Sequence, residues 1–194
     1  MGPAYGGSQA GAVLRYALLP ASPHDPGVYA RIVSALGTPH QSDLAAGVSA
    51  RLLPGAPLIA HVEARATRSG GEVHLRPAAF LSGGMDSAPI ARGFTASGYA
   101  QAGYVGGRDA TLFADGSLIA ERAMWRRDDS ALSVGAGLWG GAQRGAARLD
   151  LGPRATFRFR LGEGAARVAL DYRLRVAGDG QPPSSVAVTL AAGF

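Results

Sequence analysis

The sequence predicts an all-β fold: a transmembrane antiparallel up-and-down β-barrel of about 10–12 strands, even in number, with residues 1–194 as a single domain. Three observations predict it. Apolar and polar residues alternate with a period of two over long stretches, as they do on the two faces of a strand. About ten to twelve such stretches follow one another with nothing of helical period between them. The connectors are short and built from turn residues, such as Pro54-Gly55, Gly70-Gly71 and Asp179-Gly180.

In chain order, weaker strands are expected over Ala12–Leu19 and Val28–Leu36. Leu44, Ala46, Val48, Ala50 and Leu52 then oppose Ala45, Gly47, Ser49 and Arg51. Leu58, Ala60, Val62, Ala64 and Ala66 alternate with Ile59, His61, Glu63, Arg65 and Thr67. Val73, Leu75, Ala79 and Leu81 oppose Glu72, His74 and Arg76. Two further weak strands cover Ile90–Val105 and Ala110–Trp125. Leu132, Val134, Ala136 and Leu138 alternate with Ser133, Gly135, Gly137 and Trp139.

The clearest pair comes next. Ala147, Leu149, Leu151, Ala155, Phe157, Phe159 and Leu161 alternate with Arg148, Asp150, Arg154, Thr156, Arg158 and Arg160. Val168, Leu170, Tyr172, Leu174 and Val176 alternate with Arg167, Ala169, Asp171, Arg173 and Arg175. Gly162-Glu163-Gly164-Ala165 between them is a hairpin signal. A two-residue turn at Glu163-Gly164 sets Thr156 opposite Asp171, with Arg154, Arg158 and Arg173 around that carboxylate. Val186, Val188, Leu190, Ala192 and Phe194 mark the last strand.

Several stretches exceed the usual five or six residues of a strand and match the roughly 9–11 that a tilted strand needs to cross a bilayer. The charged face has two readings. In a soluble sheet it meets water and the apolar face is core; in a barrel it lines the lumen and the apolar face meets lipid. Closure matters in lipid, where no strand edge can stay unpaired. Interface aromatics are sparse, with Tyr16, Tyr99, Tyr104, Trp125, Phe157, Phe159, Tyr172 and Phe194 as candidates.

Composition removes other classes. Charged residues make up 17%, below the roughly 25% of ordinary soluble domains, and the 29 Gly are about twice average usage. Zero Cys excludes disulfides, a thiolate nucleophile and Cys-based metal sites. All 19 basic residues are Arg, which give a net charge of +5, yet they are spread along the chain with few aromatics between them and no nucleic-acid-binding motif. No run of about 18 uncharged apolar residues offers a transmembrane helix. The start of the chain lacks a secretory signal, so it reads either as a cytosolic protein or as a mature C-terminal domain or fragment.

Chemical motifs are weak. Gly135-Ala-Gly137-Leu-Trp-Gly140 fits G-x-G-x-x-G but lies inside a strand pattern rather than before a helix. His61 and Glu63, and Glu72 and His74, lie two apart on their strands and could converge if those strands pair. Hydrogen-bonded polar residues are the plainer reading of that cluster than a metal or acid–base site. Ser49 or Ser69 with His61 lacks the G-x-S-x-G elbow of a hydrolase. No enzyme activity, cofactor or metal is expected.

The chain ends Ser185-Val-Ala-Val-Thr-Leu-Ala-Ala-Gly-Phe194. Alternating apolar residues that finish on a terminal Phe are similar to the signal by which bacterial outer-membrane barrels are taken up by the barrel-assembly machinery, with Val186, Val188, Leu190 and Phe194 in that role. The segments Tyr99–Asp109 and Val134–Pro153 resemble the C-terminal barrels of proteins related to the cellulose-synthase outer-membrane subunit and to bacteriophage-adsorption proteins. In that group a periplasmic helical-repeat region usually precedes the barrel. The resemblance implies a bacterial outer-membrane location, contact with outer-membrane lipid, and a pore that exports an exopolysaccharide.

The lumen wall is then Arg148, Asp150, Arg154, Arg158, Arg160, Arg167, Asp171, Arg173 and Arg175. A mainly cationic wall in a confined channel favours a polar saccharide or small anionic solute. Barrels of eight to ten strands are filled by side chains, whereas twelve or more leave room for water, so a structural ion-pair network is the competing expectation. A barrel that presents surface loops for adhesion, and a soluble ligand-binding barrel or sandwich, are the remaining alternatives.

Overall fold

Residues 9–35, 41–69, 72–107, 110–180 and 184–193 are described by a computed structural model. Within them the chain forms eleven strands and no helix: β1 (Gln9–Ala17), β2 (Gly27–Ala35), β3 (Gln41–Arg51), β4 (Leu58–Ser69), β5 (Glu72–Pro89), β6 (Phe94–Val105), β7 (Thr111–Arg127), β8 (Ser130–Gln143), β9 (Ala146–Leu161), β10 (Gly164–Gly178) and β11 (Ser184–Gly193). Each pairs antiparallel with the next in one sheet. The strongest alternation gives long strands because the pattern survives local breaks: Pro153 and Gly152 sit within β9, and β10 carries a register shift between Arg175 and Ala177.

Strand number and closure both differ from expectation: the described strands number eleven, not an even count. Among the described residues β1 and β11 are the edges of an open sheet. An odd number of strands in a meander sends its first and last strands in the same direction. Pairing β1 with β11 directly would therefore be parallel, unlike every other pair in the sheet.

The strands are staggered. Glu72–Gly83 of β5 pair with β4, whereas Ala78–Pro89 of the same strand pair with β6. Such an offset accompanies strands that tilt across a curled sheet. The curl is toward the polar face. Arg65 of β4 lies 5.3 Å from the centre of the Phe113 ring on β7, although strands three apart in a flat sheet are separated by about 14 Å.

Burial follows the curl. The fully buried side chains include Thr156 and Asp171, while Leu75, Leu112, Leu170, Val188 and Leu190 on the convex face are at least half exposed. The molecule is thus inverted relative to a water-soluble sheet, whose polar groups face out. On β5 the convex apolar run extends from Val73 to Met85. That is about 40 Å along the strand, or about 28 Å in height at a 45° tilt, close to the thickness of a bilayer's hydrocarbon core.

Candidate functional site

The concave face is assembled from residues of the same parity on neighbouring strands. All nine residues expected on a lumen wall project from it, on β9 and β10, which pair along most of their lengths. Their partners differ from those the sequence suggested. The β9–β10 turn is Gly162-Glu163, with Gly162 supplying the positive φ of 63°, not Glu163-Gly164. Asp171 therefore faces Arg154, and Thr156 faces Ala169.

Arg154 donates from Nη1 to both oxygens of Asp171 at 2.8 and 3.1 Å, and Arg173 donates to Oδ2 at 3.2 Å. Arg158 does not join them. It donates instead to Glu121 Oε2 on β7 at 3.1 Å and to Ser133 Oγ at 3.3 Å. Arg148 holds Asp150 through Nε at 2.7 and 2.6 Å, with both side chains almost wholly buried. Arg175 donates to the Gly180 carbonyl at 2.7 Å, and Arg160 meets Asp129 at 3.2 Å in the open.

A second cluster, on β2–β4, was only partly legible. Glu63, wholly buried at its side chain, accepts from Tyr29 Oη at 2.7 Å, from Arg31 Nε and Nη2 at 3.1 and 2.6 Å, and from Arg65. Tyr29 and Arg31 lie on β2 and must reach across β3. They can because Gly47 and Ala45 stand between them and β4; a Cβ on Gly47 would lie 2.7 Å from Glu63 Cβ.

The same device recurs on β8. Gly135 stands between Glu121 and Arg154, which meet over it at 3.4 Å, and Glu121 also accepts from Thr156. Gly103 likewise separates Phe80 from Phe113, whose rings approach to 6.0 Å. Small residues on the concave face thus mark where long side chains join alternate strands.

His61 and Glu63 do not converge with Glu72 and His74. Strands β4 and β5 are joined through residues 70–71, so His74 pairs with Thr67 and His61 with Phe80, far from the turn. His61 stacks on Phe80 and shares a 2.8 Å hydrogen bond with Ser82 Oγ, while its Nδ1 is buried without a partner. The carboxylate that could orient this Ser–His pair, Glu63, is taken up by Tyr29 and two Arg residues. The pair therefore lacks the third group that prepares a serine nucleophile. Among the described residues no His, Asp or Glu group is arranged to hold a metal.

Tyr99, a candidate for the interface, points inward and donates to Asp115 at 2.8 Å, beside Gln101 at 2.5 Å. Arg173 lies 4.6 Å over the Trp139 ring. Two cavities of about 580 and 650 Å³ lie against these groups on the concave face, with Asp115 on the wall of both. The first holds Arg148, Arg154, Arg158, Arg167 and Arg173 against Asp86, Asp115, Glu121 and Asp150. The proposed assembly residues Val186, Val188 and Leu190 lie exposed on the convex face of β11, and Phe194 lies outside the described residues.

No family model matches the chain, and no curated protein matches it.

Proposed function

We propose that the chain is an outer-membrane β-barrel that passes a polar saccharide or anionic solute along its Arg-rich face and carries out no chemistry. The observation that supports this most is the inversion of the sheet: an apolar convex face of bilayer height surrounds a concave face of Arg, Asp and Glu. The resemblance of the β6 and β8–β9 segments to outer-membrane export barrels agrees with it. In lipid the β1 and β11 edges must be covered, because unpaired backbone groups there cost several kcal/mol each. Connections of two to nine residues leave little loop surface for adhesion.

Leu170→Arg separates the membrane reading from a soluble sheet. In lipid, a mid-strand convex Arg should cost about 2–4 kcal/mol in a folding titration into vesicles. A change within about 0.5 kcal/mol is the result for a face in water and would end the membrane reading.

Planar-bilayer recordings test passage. Wild-type protein should give stepwise, anion-preferring conductance, and Arg160→Glu with Arg167→Glu should reduce or reverse that preference. Silence from both would favour the second reading, a side-chain-filled anchor, which the saturated ion pairs at Glu63, Asp150 and Asp171 support.

A further inference from the structure

We infer that Arg158 and Arg167 form a binding site for the oxyanion group of a soluble polar solute, at the passage between the interior and the mouth beside the β9–β10 turn. The inference rests on the polar-lumen reading above and adds to it a place and a ligand chemistry.

Arg158 and Arg167 are direct cross-strand partners, both on the concave face. Like charges in that position repel, with Cβ atoms about 5 Å apart. Elsewhere on β9 and β10 the facing pair is complementary: Asp171 faces Arg154, and Arg175 faces Asp150. Arg158 has one partial counter-charge, Glu121, which Arg154 and Thr156 also use. Arg167 has no carboxylate or hydrogen-bond acceptor among the described residues.

The pair also occupies a distinctive place. It lines the 580 Å³ inner cavity and also a 660 Å³ cavity at the mouth. On the β11 side that mouth is lined by Ala191, Ala192 and Gly193, whose side chains carry no charge. Its other charged groups are the mutually paired Arg160 and Asp129, and Glu163 in the turn. Arg167 therefore faces this space without an anion, beside an Arg158 whose one carboxylate is shared, and a phosphate or carboxylate can accept from both guanidinium forks. A solute entering the interior from this end would meet them just inside the Arg160–Asp129 pair.

Inorganic phosphate is the first probe and glucuronate the second, so that phosphate and sugar-carboxylate recognition are told apart. Melting of the folded wild-type protein is followed in each, against chloride of equal ionic strength. Phosphate or glucuronate should raise the wild-type melting temperature beyond chloride, and Arg167→Gln should weaken the binding that produces the rise about tenfold. In chloride alone Arg167→Gln should melt about 1–3 °C higher, because a like-charge repulsion is gone. Arg167→Lys should keep part of the response, and Arg127→Gln, an exposed turn-end change, should keep all of it.

Equal responses of wild type and Arg167→Gln, or a lower melting temperature of that variant in chloride, would overturn the site whatever the conductance. An intact anion response in a protein that conducts nothing would instead overturn the pore reading and leave the site standing.

Discussion

Asp171→Ala should destabilise the protein by about 3–5 kcal/mol, the cost of removing one partner from a buried ion pair and leaving its cations short of counter-charge. The carboxylate is wholly buried, and Arg154 is nearly so. Arg154 would lose two hydrogen bonds and keep only the shared Glu121 and Thr156. Arg173 is less buried and retains Trp139 beneath it, so Arg173→Met should cost clearly less than Asp171→Ala. Urea unfolding in lipid vesicles, followed by circular dichroism, measures both. A loss below about 1 kcal/mol for Asp171→Ala would show that water reaches Arg154 and that the interior is wetter than its packing indicates.

Glu63→Ala should cost a similar about 3–5 kcal/mol, for a related reason with a different control. One carboxylate serves Tyr29, Arg31 and Arg65, so its removal strands a hydroxyl and two guanidinium groups. Replacing the whole group, as Tyr29→Phe, Arg31→Met, Glu63→Leu and Arg65→Met together, should recover most of that loss, since no buried polar atom is then left without a partner. Unfolding of the single and quadruple variants under the same conditions decides the matter. Equal losses in the two would mean that the cluster acts through shape, through Arg65 packed between Phe80 and Phe113, and not through charge.

How far the site could be read from the sequence depends on what a period of two encodes. Alternation assigns each side chain to a face, so the nine charged residues of β9 and β10 could be placed together before any coordinates. It does not set register. Moving the β9–β10 turn from Glu163-Gly164 to Gly162-Glu163 shifts the pairing by two residues and leaves every side chain on the same face. The hydrophobic pattern is blind to that shift, and the choice falls to which residue takes the left-handed backbone. The His61 and His74 cluster failed for a simpler reason: distance from a hairpin turn, counted along each strand, already separates them.

Contacts that skip a strand were invisible. Tyr29 with Glu63, and Glu121 with Arg154, are far apart in sequence and meet only because the sheet curls and the residue between them is Gly. Concave-face Gly47, Gly103 and Gly135 were the available signal, since a glycine inside a regular strand weakens it unless something needs the space.

By itself the sequence determined the all-β meander, the strand positions to within about four residues except for the stretch of β5 beyond Leu81, and the division into an apolar and a charged face, because these follow from local alternation and turn chemistry. Tertiary structure alone decided which face is concave, which carboxylate each Arg meets, and that β1 and β11 are left as edges. Those features depend on twist, stagger and strand count summed over the whole sheet, and no single strand carries that information.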